Sequence, residues 1–195
     1  MNRALDLTIA GTGLVVTSPL LALAALAVKL EDGGPVLYKQ VRVGRGGADF
    51  ELVKLRTMVV GAEKRGAGFA VDRGDARITK SGRILRRLSL DELPQLWNVV
   101  RGDMSVIGPR PTLRYQVEQY DERQLHRLDV KPGITGWAQI HGRARLPWSE
   151  RIELDLWYVS HRSWKTDLLI LLRTPLALFG GTYRGPTGGW QPPAG

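Results

Sequence analysis

The chain has 195 residues and contains no cysteine, and its three histidines are scattered along the sequence. Without cysteine, neither a disulfide framework nor a thiolate metal site is possible. His126, His141 and His161 show no metal-ligand spacing, so each is expected to be a surface or capping group. These absences exclude a disulfide-stapled domain and a metal centre built from thiolates.

Charge is missing from one long segment near the start of the chain. The 22 residues from Leu7 to Val28 carry no charge and are rich in Leu, Ala and Val. At about 1.5 Å per residue, a helix of this length covers about 33 Å, enough for a hydrocarbon core of about 30 Å. A cleaved signal peptide with Ala22-Leu23-Ala24 at its end is one interpretation, although Asp6 and the length of the run argue against it.

Two further interpretations place this segment permanently in the membrane. One is a simple spanning helix, and the other is a helix that turns at Ser18 and Pro19 and leaves by the same face. Proline removes one backbone hydrogen bond and kinks a helix, and a neighbouring hydroxyl can satisfy the freed carbonyl. We predict that residues 1–30 form a membrane-inserted, re-entrant helix with its break at Ser18 and Pro19.

Acidic residues are too few to balance the cations. The net charge is +9 and the isoelectric point is near 10.2, and the whole excess follows the apolar segment, since residues 1–28 carry one cation and one acid. Nucleic acid, anionic lipid or a phosphorylated substrate would suit such a chain. By the positive-inside tendency, the part after Lys29 is expected to be cytoplasmic. We expect one catalytic domain over residues 31–179 and a flexible tail over residues 180–195.

Two adjacent carboxylates, Asp91 and Glu92, directly follow the most cationic run of the chain. Between Ala76 and Leu90 there are five cations and no acid, namely Arg77, Lys80, Arg83, Arg86 and Arg87. About 15 residues later comes a cationic turn, Gly108-Pro109-Arg110-Pro111. Cations and turn N–H groups hold phosphate oxygens, and a carboxylate attacks phosphorus or holds a divalent metal. The stretch therefore indicates phosphate chemistry.

The same stretch has a purely structural interpretation. Ser89-x-x-Glu92 fits a helix capping box, and acids in a first helical turn are favoured by the helix dipole. Pro94 fits this less well, because a proline at the fifth helical position would delete a backbone hydrogen bond. The two interpretations are compatible, since a helix start also offers N–H donors to a phosphate.

Local patterns predict a mostly helical α/β domain with a β-hairpin and short strands. Gly44-Arg45-Gly46-Gly47 is predicted to be a hairpin turn rather than a phosphate loop, because no strand-to-helix context follows it. Strands are predicted over residues 36–43, 50–55 and 137–140. Helices are predicted over residues 56–64, 96–100, 112–127 and 149–159 and from residue 166, with Ser149 as a cap. Residues 66–74 are predicted to be a loop and residues 131–136 a turn.

The last two predicted helices are apolar and rich in aromatic residues. Trp148, Trp157, Tyr158, Trp164 and Phe179 cluster around them, and cations flank them. Such helices suit an interfacial position on a membrane, and ordinary core helices remain an equal alternative.

Taken together, these motifs resemble the bacterial sugar transferase family, the monotopic phosphoglycosyl transferases that initiate glycoconjugate synthesis. The resemblance covers residues 1–179. Its pieces are Arg3-x-x-Asp6, the segments 50–58 and 75–79, the segment 86–99 with Ser89-Leu90-Asp91-Glu92-Leu93-Pro94-Gln95, and the segments 102–111, 132–139, 142–143 and 155–158. His141 stands where asparagine is common in the family. The multi-span N-terminal region of larger members is absent, which suggests a minimal catalytic unit.

The resemblance implies a reaction and a set of roles. A UDP-sugar gives its phosphosugar to a polyprenyl phosphate such as undecaprenyl phosphate, UMP leaves, and Asp91 is the nucleophile that forms an aspartyl-phosphosugar intermediate. Glu92 helps to organise Mg²⁺, which Mn²⁺ could replace, so both acids are candidate metal ligands. The implied location is the cytoplasmic face of the bacterial inner membrane. The candidate substrate and phosphate contacts are Lys54, Arg56, Arg86, Arg110, Gln139, Arg143 and Arg145. For Arg56 and Arg145 the structural alternative is an ion pair on a solvated face.

Two functions from other classes remain open. A membrane-anchored nucleic-acid-binding protein would suit the basic charge, but no recognition module is evident, so no nucleic-acid partner is expected. A non-catalytic membrane scaffold would leave the placement of Asp91 and Glu92 among cations without a reason. The sugar, the glycan pathway and the polyprenol length are not specified by these patterns, and a homodimer is compatible with them.

Overall fold

The computed structural model describes residues 2–64, 74–142 and 146–179, without the side chains of Leu178 and Phe179. The predicted loop of residues 66–74, except Gly74, and the predicted tail of residues 180–195 lie outside the described residues. So do Arg143 and Arg145.

The described chain is mostly helical, with a β-hairpin and short strands, as the sequence predicts. Its helices are α1 (Arg3–Asp32), α2 (Lys80–Arg87), α3 (Gln95–Arg101), α4 (Arg114–Val117), α5 (Glu122–Leu125), α6 (Trp137–Ile140), α7 (Trp148–Ser160) and α8 (Trp164–Phe179). Its strands are β1 (Leu37–Val43), β2 (Asp49–Leu55), β3 (Ser105–Ile107) and β4 (Gly133–Thr135). Short 3₁₀ turns occur at Arg45–Gly47, Ala62–Lys64, Leu90–Glu92 and His126–Leu128.

The apolar N-terminal segment forms the 30-residue helix α1, which runs through Pro19 without ending. Proline at position 19 cannot donate to the carbonyl of Val15, and Ser18 Oγ donates to that oxygen at 2.8 Å instead. Thr17 Oγ1 likewise donates to the Gly13 carbonyl at 2.7 Å. A hydroxyl therefore replaces the lost donor, as expected. The helix continues through Ser18 and Pro19, so the expected break does not interrupt it.

One face of α1 packs along the domain. Asp6, Ala10, Ala24 and Val28 are buried, and their spacings of four and fourteen residues place their side chains on one side of a helix. The opposite face exposes large apolar side chains, namely Val15, Val16, Leu20, Leu23, Leu26 and Leu30. By length and composition α1 could cross a membrane, and only 11% of its most apolar window is buried by the protein. A membrane-associated helix accounts for this exposed apolar face.

Both ends of α1 are tied to the same domain. At the start, the Arg3 guanidinium donates to the carbonyls of Val99 at 2.5 Å and Val100 at 2.7 Å. At the end, Asp32 accepts two hydrogen bonds of 2.5 Å from the Arg56 guanidinium. The helix α1 is therefore held against the same domain at both of its ends.

The antiparallel hairpin of β1 and β2 confirms the predicted strands and turn. Its register pairs Leu37 with Leu55 and Val43 with Asp49. Asn98 of α3 fastens the hairpin, because its Oδ1 accepts from Val53 N at 3.1 Å and its Nδ2 donates to the Glu51 carbonyl at 2.7 Å. This contact fixes α3 against β2.

The predictions for residues 131–140 are wrong in detail. Residues 133–135 form the strand β4, which pairs in parallel with β3, and residues 137–140 form the helix α6 instead of a strand. The reason is a close backbone approach among three glycines. A Cβ added at Gly133 would lie 2.0 Å from Gly108 N, and one at Gly136 would lie 2.2 Å from Gly108 O. In the sequence these glycines suggest a turn. In the structure their lack of a side chain lets β4 pair with β3.

Other helical predictions need correction. Residues 56–64 are not a helix: Met58 pairs with Ile78 in an isolated bridge, and only the last three residues form a 3₁₀ turn. The predicted helix over residues 112–127 is instead broken into α4, α5 and a 3₁₀ turn. The helix predicted from Ser149 begins at Trp148 with Pro147 at its cap position, so Ser149 is not the cap.

The helix α8 begins at Trp164, and Ser163 Oγ accepts from Thr166 N at 3.2 Å at its start. Trp164, Leu168, Leu172 and Leu176 recur every four residues and are exposed, Trp164 by 71%. Ile170 is fully buried in the main core, so α8 has one face in the protein and one apolar face outside it. An interfacial helix needs such an exposed apolar face, and the interfacial position of α8 stays a prediction.

Candidate active site

Ser89 opens the candidate site with an unusual backbone conformation. Its φ of 55° is the one positive φ of a non-glycine residue among the described residues, and its side chain makes no capping hydrogen bond. The capping-box interpretation is therefore wrong. Ser89, in its left-handed conformation, instead separates α2 from the 3₁₀ turn that contains Asp91 and Glu92. Such strained conformations are found at functional sites when the surrounding structure enforces them.

Glu92 is held by two cations from distant parts of the chain. Lys54 Nζ, from β2, lies 3.2 Å from Glu92 Oε1, and Arg110 NH2 lies 2.5 Å from the same oxygen. Burial opposes ionisation of Glu92, but Arg110 and Lys54 outweigh it and hold the pKa of Glu92 well below its usual range. Glu92 is therefore a stable anion at neutral pH.

Asp91 has the opposite environment. It is 7% exposed, and the structure shows no hydrogen bond to its carboxylate from any described residue. Burial raises the pKa of Asp91, and the neighbouring charge of Glu92 raises it further, while Lys54 and Arg86 partly offset both effects. The two adjacent acids thus have pKa values that are pushed apart.

Three of the predicted phosphate-binding residues lie around this pair. Lys54 is nearly buried, and burial lowers its pKa against the attraction of Glu92. The Arg110 side chain is 44% exposed, and the charge of Glu92 raises its pKa. Arg86 Nε donates to Thr57 Oγ1 at 2.9 Å, and its charge acts on Asp91. The structure brings these three cations together.

Arg42 belongs to the same cluster and was missed from the sequence. It donates to Gln40 Oε1 at 2.6 Å and to the Pro111 carbonyl at 3.3 Å. Burial and the charge of Arg110 lower its pKa to about 10. Strand alternation could have found it, because residues 38, 40 and 42 share a face with Lys54 across the hairpin.

A buried ion pair supports the backbone of Arg110. Arg127 Nε donates to Asp155 Oδ2 at 2.7 Å, and its NH2 donates to the Arg110 carbonyl at 2.6 Å. Both side chains are almost fully buried. This support was also missed, because nothing in the separate segments links residues 127 and 155.

The remaining predicted contacts do not join this cluster. Arg56 is 6% exposed and is occupied by Asp32 and by the Pro35 carbonyl at 2.5 Å, which favours its structural alternative as an ion-pair residue. Gln139 is 7% exposed, and both polar atoms of its side chain lack a hydrogen-bond partner within the described chain. Arg143 and Arg145 lie outside the described residues, so their roles stay predictions.

Comparison with known proteins decides the family. The family model for bacterial sugar transferases matches residues 1–181. The chain belongs to the bacterial sugar transferase family. It is 47% identical over 174 residues to the uncharacterized sugar transferase EpsL of Bacillus subtilis, an alignment that covers 89% of this chain and 85% of the relative.

Other family members have names that state a reaction. The chain is 46% identical to the UDP-glucose:undecaprenyl-phosphate glucose-1-phosphate transferase of Caulobacter vibrioides, over 89% of this chain and 67% of the relative. It is 42% identical to the UDP-N-acetylgalactosamine-undecaprenyl-phosphate N-acetylgalactosaminephosphotransferase of Aeromonas hydrophila, over 93% of this chain and 44% of the relative.

The two acids of this sugar transferase fit the Mg²⁺ that the family resemblance implies. Among residues 2–64, 74–142 and 146–179, no group of three or more His, Cys, Asp or Glu side chains could hold a metal. Mg²⁺, however, is commonly bound by one or two carboxylates together with substrate phosphates. Glu92 Oε2 has one long contact, 3.3 Å to Arg110 NH1, and the Asp91 carboxylate accepts no hydrogen bond from the described chain. Both retain oxygen atoms for a metal.

The electrostatic description of the two acids is testable without substrate. Glu92→Gln removes a negative neighbour and should lower the pKa of Asp91, whereas Lys54→Met removes a positive neighbour and should raise it further. Carboxyl ¹³C NMR of aspartate-labelled protein in micelles measures both shifts. Lys39→Met, on the exposed side of the hairpin, is the matched control and should leave the Asp91 signal unchanged. Equal titration in all variants would contradict the assigned causes.

Proposed function

We propose that this chain transfers a phosphosugar from a UDP-sugar to a polyprenyl phosphate and releases UMP. The observation that carries the proposal is the buried Asp91 carboxylate, unpaired within the described chain, beside an anionic Glu92 held by Lys54 and Arg110. The names of the Caulobacter vibrioides and Aeromonas hydrophila relatives describe the same type of transfer to undecaprenyl phosphate. The reaction would be the first membrane step of glycoconjugate synthesis, such as that of an exopolysaccharide.

In the proposed first step, an Asp91 oxygen attacks the β-phosphorus of the UDP-sugar. The bond between this phosphorus and the bridging oxygen breaks, and UMP leaves with the electron pair. In the second step, a phosphate oxygen of the polyprenyl phosphate attacks the same phosphorus, and Asp91 leaves as a carboxylate. The raised pKa of Asp91 supports this role, because a more basic carboxylate is the better nucleophile once it is ionised.

The cations around Asp91 suit the phosphates of both substrates. Arg110 is partly exposed and offers a planar guanidinium for two parallel hydrogen bonds, while Lys54 offers a point charge at the same carboxylate. A bound Mg²⁺, or Mn²⁺, would neutralise the charge that develops on the phosphate oxygens. Arg42 and Arg86 add to the positive electrostatic potential at the two acids.

The attachment of α1 supports a re-entrant position in the membrane. Arg3 at its start and Asp32 at its end both contact the catalytic domain, and large apolar side chains are exposed between them. A helix that spans the bilayer would separate these two contacts by the thickness of the membrane. We therefore place both ends of α1, with the domain, on the cytoplasmic face of the inner membrane, where the exposed apolar stripe of α8 would meet the interface.

The proposed reaction is tested by incubating the purified chain with a polyprenyl phosphate, Mg²⁺ and a panel of UDP-sugars. We expect UMP release with at least one sugar, and we expect excess EDTA to abolish it because the carboxylates and the diphosphate are all anionic and need a bound metal cation between them. A luminescence assay for UMP measures both. Full turnover in EDTA would overturn the metal requirement, and no UMP with any sugar would overturn the reaction.

The covalent step predicts ping-pong kinetics. UMP should appear before any polyprenyl phosphate is added, in an amount near one per active enzyme. Asp91→Asn should abolish this burst, because an amide keeps the shape of the side chain but is a poor nucleophile. Glu92→Gln should slow the reaction and weaken its dependence on metal. Quenched-flow assays measure the burst, and mass spectrometry should find a phosphosugar on the peptide that contains Asp91.

Two results would count against this assignment. An adduct on Glu92 would exchange the roles of the two acids. A normal burst from Asp91→Asn, or strictly sequential kinetics without any adduct, would remove the covalent mechanism.

The topology of α1 is testable with single cysteines, since the chain has none of its own. With both ends of α1 cytoplasmic, Asn2→Cys and Lys39→Cys should be protected from an impermeant thiol reagent in intact cells and should react after permeabilisation. Reaction of Asn2→Cys alone in intact cells would indicate a spanning helix. Adding Pro19→Ala should shift labelling toward spanning, because it restores a backbone donor at the middle of the helix.

A further inference from the structure

A cavity with a charged lining lies at the start of α1. Its lining includes none of the acids or cations described for the candidate active site. It has a volume of about 350 Å³ and lies between the first turn of α1, β3 and the segment before β4. Its charged lining consists of Arg3, Asp6, Arg45, Asp129, Lys131 and Arg162. Four cations against two acids make this a positively charged cavity.

The two acids of the cavity are already occupied. Asp6 Oδ1 accepts from Ser105 Oγ and from Val106 N, both at 2.8 Å, and Asp6 is buried. Asp129 lies 2.9 Å from the His126 ring. Neither acid forms an ion pair with a cation of the cavity within the described chain, and because four cations face two acids the lining keeps a net positive charge.

The four cations have no carboxylate within 4.0 Å among the described residues. Arg3 donates to the carbonyls of Val99 and Val100, and Arg45 donates to the Asp129 carbonyl at 3.1 Å. Lys131 and Arg162 make no hydrogen bond to any residue that the structure describes. Cations that line one cavity without carboxylate partners repel one another, and an anion with several oxygen atoms would relieve that repulsion.

Gly102 brings two of these cations toward one point. A Cβ placed on Gly102 would lie 3.5 Å from Arg3 NH2 and 3.7 Å from Lys131 Nζ. The charged ends of both side chains therefore approach the same small volume. A single phosphate group is small enough to contact both of these charged ends.

The position of the cavity indicates where the phosphate comes from. Arg3 lies in the first turn of α1, directly before the uncharged run that begins at Leu7. Arg162 lies two residues before Trp164, the first member of the exposed apolar stripe of α8. The cavity is thus at the level where both apolar helices begin, which is where headgroup phosphates lie when such helices enter a membrane.

We propose that this cavity is a binding site for a lipid-borne phosphate, held by Lys131 and Arg162 together with Arg3 and Arg45. The hydrocarbon chains of the lipid would lie beside the exposed faces of α1 and α8. The site would fix the depth and orientation of the domain on the membrane. The inference rests on the proposed membrane position of α1 and α8, and it is independent of the roles proposed for Asp91 and Glu92.

The test uses the full chain purified in detergent and native mass spectrometry to count bound lipids. The wild-type protein should retain phosphatidylglycerol over phosphatidylcholine by at least about tenfold, as expected for two cations at an anionic headgroup. The double variant Lys131→Gln and Arg162→Gln should lose this preference. Lys39→Gln with Arg123→Gln is the matched control, because it removes the same charge from two exposed cations of surface ion pairs.

Conservative variants separate binding from folding. Lys131→Arg with Arg162→Lys should keep the preference, since both charges remain.

A second arm offers undecaprenyl phosphate and inorganic phosphate as competitors against phosphatidylglycerol. Displacement by undecaprenyl phosphate at a far lower concentration than by inorganic phosphate would support the site and show that it accepts the polyprenyl lipid. Retention that favours phosphatidylglycerol over both would support the site and identify a phospholipid.

Three results would overturn the proposal. They are an unchanged preference in the Lys131→Gln and Arg162→Gln variant, an equal loss in the control variant, and displacement by inorganic phosphate as effective as by either lipid. Flotation of the wild-type protein with phosphatidylcholine vesicles tests its premise separately. Failure to float would remove the proposed membrane position, whereas UMP release reports on the catalytic proposal alone.

Discussion

The carboxylate of Glu92 holds the candidate site together, because three separate parts of the chain meet at it. Lys54 comes from the hairpin, Arg110 from the turn after β3, and Glu92 itself from the 3₁₀ turn after α2. Removing one partner would leave an uncompensated charge in a mostly buried place, which is costly. The same arrangement sets the environment of Asp91, whose pKa is raised by burial and by the anion that these cations stabilise. The ion pairs of Glu92 therefore determine both where the cations lie and the electrostatic environment of Asp91.

The helix α1 also helps to position Asp91, through the packing of apolar side chains. Ala24 and Val28 of α1 form a buried cluster with Leu55 and Leu85, and Leu90 packs against this cluster. Leu90 directly precedes Asp91, so the turn that presents the carboxylate rests on the helix with the exposed apolar face. Nearer the start of α1, Ala10 joins the main core with Val99 and Met104. In the proposed reaction, which combines a water-soluble donor with a lipid acceptor, this packing would fix Asp91 at a set distance from the membrane surface.

Part of this arrangement could be predicted from the sequence. The hairpin, α1 and α3 follow from periodicity and from the glycine and proline signals, and the cluster of acids and cations follows from composition around residue 91. The corrections occur where long-range backbone contacts decide the structure. Gly133 pairs with β3 because Gly108 allows the two backbones to approach, and a local pattern contains no information on that partner. Arg42 and Arg127 were missed for the same reason, since each reaches the site across a strand pair or a buried ion pair.

The proposed division of roles between the two acids is supported by their partners in the structure, whereas the sequence assigned it only through the family resemblance. In the sequence Asp91 and Glu92 are equivalent neighbours beside the same cations. In the structure Glu92 Oε1 is used by both Lys54 and Arg110, which lowers its pKa well below its usual range and makes it a weak base. Asp91 is buried without such partners in the described chain, and its pKa is raised. Pairs of carboxylates whose environments separate their pKa values are how active sites assign different roles to similar groups. A nucleophile needs an available lone pair and sufficient basicity, and of the two acids Asp91 has both, which supports the proposed mechanism, in which Asp91 would attack and Glu92 would orient the cations and a metal around it.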